Sequence, residues 1–214
     1  MATRNVLLFV CDKMADWEAA YAVAGINQPS FQRAPGTYRV ATVSGDGLPI
    51  TTAGGIRIQP ELALAAVASG SSAMLILPGS DTWDSDAGRA AVAMAAYLLT
   101  VEVPVAAICG ATAALARGGL LNDRPHTSNA REFLAATGYA GGVFYQDGPV
   151  VSSGNLITAS GVAPIEFARA IFERLDLCSL EVLDAWYGLY ATKDPLFYQR
   201  LIKTARPAAA SASA

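Results

Sequence analysis

The stock of groups able to do covalent or acid–base chemistry is small: three cysteines, one histidine and eighteen acidic residues in 214. One stretch sets a cysteine in the right local pattern. In Ala106-Ala107-Ile108-Cys109-Gly110-Ala111-Thr112 an apolar strand pattern runs into a single polar nucleophile and leaves at once as a helix. Ala107 stands two before the cysteine and Ala111 two after it, as a nucleophile elbow requires, because the sharp strand-to-helix turn leaves no room for bulk there. A sulfur at a helix N-terminus sits among unpaired N–H groups and the positive end of the dipole, which favours thiolate over thiol. The N–H groups that follow, Gly110 first, can hold a developing oxyanion. The competing reading is a buried, inert cysteine. Cys11 and Cys178 lack this context and read as core or surface packing.

The other cysteine chemistries are unsupported. The three thiols are widely spaced and odd in number, with no C-x-x-C pair, so neither a disulfide framework nor a metal site is expected and a reduced, cytoplasmic protein is the economical reading. No phosphate loop or dinucleotide fingerprint occurs, so no cofactor is expected. Charged residues are 15% and the net charge is −3, which leaves no basic stripe for nucleic acid. The 53% hydrophobic content excludes a disordered chain. Mean hydropathy is positive at +0.34. Even so, Ala90–Val101 stops at Glu102 and Pro104 and no run reaches the ~18 to 20 apolar residues of a membrane span. Val6–Val10 is too short for a signal core and reads as a first strand.

Such a nucleophile needs a framework, and the sequence predicts one. Strand patterns occupy Val6–Cys11, Tyr38–Ser44, Ala73–Leu77, Val103–Ile108, Val150–Ser153 and Leu156–Ala159, the last two joined by a Gly154-Asn155 hairpin. Ile50–Ile58, broken at Gly54-Gly55, reads as a hairpin or bulged edge. Helical patterns cover Trp17–Ile26 after Asp16 as a candidate N-cap, Glu61–Ala68 after Pro60, Asp86–Leu99, Gly110–Arg117, Ala130–Thr137 and Pro164–Leu175. Leu180–Tyr190 and Pro195–Ala205 read as two appended aromatic-rich helices. Strands alternating with helices predict a mostly parallel sheet covered on both faces. One domain over residues 1–206 is expected, with its core at 6–175, a helical extension at 178–206 and a disordered tail at 207–214. In open sheets of this type ligands bind beyond the strand C-termini. Three of those ends carry marked residues here: Asp16-Trp17-Glu18, Pro78-Gly79-Ser80 and Cys109-Gly110.

AICGATAALARGGLL, with LPGS before it and ITASGVAPIEFARAI after it, resembles the ThiJ/PfpI superfamily over roughly Val6–Leu175. Within it the sequence is similar to bacterial members of the type 1 glutamine amidotransferase-like, or intracellular protease/amidase, branch. That resemblance implies the flavodoxin-like fold of class I glutamine amidotransferases. It implies Cys109 as the reactive cysteine, Glu18 as the acid that hydrogen-bonds its sulfur, and Gly79 and Ser80 as part of the oxyanion turn, Ser80 replacing the family's second glycine. Pro125-His126-Thr127-Ser128-Asn129 reads like the family strand that lines the cleft. A carboxyl beside a thiolate should have its pKa raised by burial and like charge. Asp16 is the rival acid, or a plain N-cap; Glu166 supports the last core helix.

The departures bear on activity. Protease-like members carry a histidine directly after the cysteine, where this chain has Gly110. Amidotransferases carry a histidine before the last core helix, where this chain has Gly161-Val162-Ala163. The single histidine, His126, is either a proton donor for Cys109 or a hydrogen-bonded core residue, and Asn129 is the alternative pocket wall. The expected function is a cysteine-dependent hydrolase or lyase acting on a small molecule. A redox-sensing or stress protein, or an amidotransferase or protease, are the alternatives. A homodimer is expected from the superfamily, and the aromatic C-terminal region either covers a core edge or forms an interface.

Overall fold

The computed structural model describes residues 3–67, 70 and 72–205. The predicted tail at 207–214 lies outside the described residues. The chain runs β1 (Arg4–Phe9), α1 (Ala20–Asn27), β2 (Tyr38–Ser44), β3 (Ile50–Thr51), β4 (Arg57–Ile58), β5 (Leu62–Ala63), β6 (Ser72–Leu77), α2 (Asp86–Thr100), β7 (Val105–Ile108), α3 (Gly110–Arg117), α4 (Arg131–Ala135), β8 (Val150–Ser153), β9 (Leu156–Ala159), α5 (Pro164–Arg174), α6 (Leu180–Thr192) and α7 (Pro195–Ala205).

Seven strands form one sheet in the order β5-β2-β1-β6-β7-β9-β8, parallel except for the β8–β9 pair. β6, β7 and β9 are almost wholly apolar because both faces are covered: every one of their residues is buried. Each large aliphatic side chain fully buried there contributes roughly 1.5–3 kcal/mol. The chain moves outward from β1 to β2 and then returns across β1 to start β6. The crevice of such a sheet opens at that reversal, beyond the C-terminal ends of β1, β6 and β7.

Helix ends follow local chemistry where a suitable residue is present. Ser85 caps α2 by accepting from the Gly88 N–H at 3.1 Å, and Ser179 caps α6 by accepting from Val182 N–H at 3.3 Å. The appended helices close one flank. Trp186 of α6 is buried against Phe172 of α5, with ring centroids 4.9 Å apart, and meets Tyr21 of α1 edge-on at 6.3 Å.

Three predicted elements come out differently. Glu61–Ala68 is not a helix; Ala68 itself lies outside the described residues. β2 would otherwise be a sheet edge, and it captures the segment: Glu61 N–H donates to Thr42 O at 3.0 Å, Leu62–Ala63 pair with Val43–Ser44, and only a 3₁₀ turn at Leu64–Ala66 remains. Strand pairing outweighs helix propensity, which is worth only tenths of a kcal/mol per residue. The first helix begins at Ala20, not Trp17, and Ala19 rather than Asp16 occupies its cap position. Pro125–Asn129 is not a strand of the sheet; it makes a single parallel bridge, His126 to Tyr145.

Candidate functional site

β7 delivers Cys109 to the centre of the crevice. The Cys109 N–H still pairs with Ala159 O at 3.0 Å, prolonging the β7–β9 ladder by one residue. The chain then reverses into α3 with Cys109 at φ 57°, ψ −123°. A non-glycine residue held in so sparsely populated a region stores on the order of 1–3 kcal/mol, and such strain collects at functional sites. Two ties hold the bend. The Thr112 hydroxyl donates to Cys109 O at 2.6 Å and also shares a hydrogen bond with the Ser128 hydroxyl at 2.6 Å.

The sulfur has neighbours from three other strand ends. Glu18 arrives from the β1–α1 connection and is only 1% exposed. Its Oε2 accepts from the Gly79 N–H at 2.5 Å, and its carboxyl stands beside the Cys109 sulfur: a Cβ on Gly79 would lie 2.7 Å from Oε2 and 3.0 Å from Sγ. From the 126–129 segment, Asn129 Nδ2 donates to Sγ at 3.3 Å, while Asn129 Oδ1 accepts from the Gly161 N–H at 2.8 Å. Gly79 and Gly161 close on the cysteine from either side. A Cβ on Gly79 would stand 2.8 Å from Cys109 Cβ and 3.0 Å from Sγ; one on Gly161 would stand 2.8 Å from Sγ. Both positions require glycine for want of space.

Electrostatics couple the acid and the thiol. Burial raises the Glu18 pKa above the ordinary carboxylate value, against the opposing hydrogen bonds from Gly79 and Cys109. Burial likewise raises the Cys109 pKa; the Asn129 hydrogen bond opposes the rise and the Glu18 charge adds to it. That direction runs against the expectation of a thiol driven to thiolate by the helix terminus. Desolvation outweighs the Gly110 N–H.

The remaining predicted site residues are placed as follows. The Gly79 N–H is spent on Glu18, so it is not free for an oxyanion. The Ser80 side chain turns away: its hydroxyl donates to Asp12 O at 2.7 Å. The Ser80 backbone abuts Gly110, whose Cβ would lie 3.3 Å from Ser80 N. Asp16 is directed at the β3–β4 hairpin, where its Oδ2 accepts from the Gly54 N–H at 2.7 Å. His126 is fully buried, with Nδ1 at 2.8 Å from Arg124 O and Nε2 at 2.9 Å from Tyr139 Oη. Both ring nitrogens are engaged there, and the structure does not bring the ring to Cys109. With Thr127 and Ser128, also buried, His126 anchors a segment whose next residue, Asn129, reaches the sulfur. Glu166 accepts from the Tyr187 hydroxyl at 3.1 Å, linking α5 to α6. Gly161 was named from sequence only as part of the Gly161-Val162-Ala163 segment and was not assigned to the site; it lies two residues beyond the end of β9.

The crevice above Cys109 measures about 550 Å³ and is bordered by Lys13, Trp17, Trp83, Arg117, Asn129 and Phe133. Trp83 fixes its floor by donating Nε1–H to Pro78 O at 3.1 Å.

A strained cysteine at a strand–helix bend, beside a buried carboxyl in a doubly covered parallel sheet, defines a class of α/β proteins. Comparison with known proteins places the chain within it. The DJ-1/PfpI family model matches residues 4–174, and the chain belongs to the DJ-1/PfpI family. It is 39% identical over 207 residues to the Bacillus subtilis (strain 168) protein named uncharacterized protease YoaZ, covering 95% of this chain and 99% of that one. A second protein of that organism, named uncharacterized protease YdeA, is 30% identical over 200 residues, 87% of this chain and 93% of the other. Among solved structures, a thiJ/pfpI family protein from Bacillus anthracis superposes with a TM-score of 0.89 at 39% identity, covering 95% of this chain and 98% of its own. A DJ-1 superfamily protein from Agrobacterium tumefaciens gives 0.78 at 29%, covering 89% and 99%.

Among the described residues no helix is long and apolar enough to cross a membrane, and no cluster of three or more His, Cys, Asp or Glu side chains could hold a metal ion.

Proposed function

We propose that the chain is a cysteine-dependent enzyme, a hydrolase or lyase, acting on a small molecule with an electrophilic carbonyl carbon. The observation that carries this reading is the buried Glu18 carboxyl beside the half-buried Cys109 thiol, with the carboxyl locked by the Gly79 N–H at 2.5 Å. As the sulfur attacks, the thiol proton passes to Glu18, the C–S bond forms, and the carbonyl π pair moves onto oxygen. The backbone N–H groups of Ser80 and Gly110 hold that oxyanion. The protonated carboxyl, already raised by burial, then returns its proton to the leaving atom or the oxyanion. Asn129 steadies the negative sulfur through Nδ2–H. A crevice of about 550 Å³ suits a small molecule rather than a folded protein. Two relatives are named proteases, but the single histidine of this chain is committed to Arg124 and Tyr139, so Glu18 carries all the proton transfer.

The test is a panel of small aldehydes, esters and amides assayed on the native chain and on Cys109→Ala. Turnover of one substrate class that Cys109→Ala loses supports the reading; equal turnover by both proteins overturns it. A second reading, oxidation sensing, is favoured by the half-exposed position of Cys109 between two N–H donors. Mass spectrometry after mild peroxide would show oxygen added at Cys109 if this reading holds. Oxygen gained only at Cys11 or Cys178 would exclude it.

A further inference from the structure

The β3–β4 hairpin has no place in the chemistry above, yet it is fastened to the same connection that carries Glu18. Thr51 N–H donates to Asp12 Oδ1 at 2.8 Å, Lys13 N–H to Thr51 O at 2.8 Å, and Ala53 N–H to Met14 O at 2.9 Å. At the tip the tie passes from backbone to side chain: Asp16 Oδ2 accepts from Gly54 N–H at 2.7 Å. The approach is close, since a Cβ on Gly54 would lie 2.9 Å from that oxygen. The other side of the connection is bonded to the site. Ala15 N–H donates to Gly79 O at 2.9 Å, and Met14 bridges Ser80. Ala53 at the tip, with Lys13 and Trp17 beside it, borders the crevice that has Cys109 at its base.

We propose that Asp16 is a specificity-determining positioning residue. Its carboxylate pins the hairpin tip as one wall of the crevice and so limits the width of molecule that reaches Cys109. The proposal rests on the crevice being the working site, and deepens that reading by assigning it a narrow substrate. Asp16 acts as a hydrogen-bond acceptor, not as an acid, because its partners come from the hairpin and not from the thiol. The Thr52 hydroxyl and the Gly54 N–H hold its carboxyl below the ordinary carboxylate value, so the tie persists through the neutral range.

The test compares Cys109 modification by iodoacetamide and by a bulky aromatic maleimide, resolved by site in the full chain. Asp16→Ala should raise the bulky-to-small rate ratio about tenfold, the population change expected from losing one charge-assisted hydrogen bond. Asp16→Asn keeps an oxygen for the Gly54 N–H and should restore the native ratio, which an acid–base role would not allow. An unchanged ratio in Asp16→Ala, or an equal rise in Asp16→Asn, overturns the proposal. Gly54→Ala, which crowds the tip while leaving Asp16 in place, should give the same rise, and it decides the matter if Asp16→Ala does not fold. Silence of the native Cys109 toward iodoacetamide would overturn the nucleophile reading alone. The tie is then read from amide exchange at Gly54, expected to quicken in Asp16→Ala and not in Asp16→Asn; slow exchange in both sinks it.

Discussion

Two half-buried thiols border cavities of similar size, and only one has an amide donor and a buried carboxyl beside its sulfur. Cys178 borders a space of about 470 Å³ lined by Tyr21, Phe31, Phe172, Trp186 and Tyr190, with no charged side chain in the lining. Burial pushes its pKa up to about 11, and Arg33 offsets little of this. Cys109 also suffers burial, but it meets an amide donor, a helix-terminal N–H and an acid that can take its proton. Partial exposure and an adjoining cavity are common to both, so they do not distinguish the two sites. What separates the two is whether polar groups are aimed at the sulfur to replace the water it has lost.

The contrast can be broken most severely at Glu18. Glu18→Gln keeps an oxygen for the Gly79 N–H but removes the proton carrier. Turnover should fall by about 10²–10⁴, the usual worth of general acid–base help. The same change removes a negative charge that raises the thiol pKa, so the pH profile of Cys109 alkylation should move to lower pH. A profile that stays put or moves upward would separate Glu18 from the sulfur.

The thiols can next be compared directly. With iodoacetamide at pH 8, Cys109 should react at least about tenfold faster than Cys178, read by peptide mass spectrometry, because thiolate is the reacting species. Equal rates would erase the distinction.

Smaller effects sharpen it. Gly161→Ala places a methyl 2.8 Å from Sγ. Thermal or urea unfolding should register a loss of about 1–3 kcal/mol from overpacking, with slower alkylation. Asn129→Ala removes a donor that lowers the thiol pKa, so alkylation at neutral pH should slow a few-fold, the effect of one hydrogen bond.

His126→Asn should leave the Cys109 rate nearly unchanged while costing about 1–3 kcal/mol of stability, since the Tyr139 hydroxyl loses its partner in the core. Burial depresses the His126 pKa below 6.5. The unfolded chain then binds the proton more readily, and stability falls as pH drops below about 6.5. The stability gap between the native chain and His126→Asn should narrow over that range. A collapse of Cys109 reactivity in this variant would restore His126 to the chemistry.

The elbow was legible because its cause is local. Ala107, Cys109, Gly110 and Ala111 are neighbours in sequence, and their sizes alone dictate a tight bend. The buried strands were legible from their apolar runs, and the Gly154-Asn155 hairpin from its turn residues. Glu61–Ala68 misled because the exposed edge of β2, set by residues some twenty positions earlier, was the stronger partner. Spacing alone does not separate Asp16 from Glu18, two acids two residues apart; the family resemblance is what singled out Glu18. One is directed at a hairpin and the other at the sulfur only because the β1–α1 connection is bonded to Gly79 on one side and to Thr51 and Ala53 on the other. The bend at Cys109, the alternation of strands and helices and the family follow from residue order alone, because sterics and hydrophobic periodicity act over a few residues. Which acid faces the thiol, that His126 anchors Asn129, and that Gly161 closes the site were settled by strand order and register, which bring ends distant in sequence to within hydrogen-bond reach of one atom.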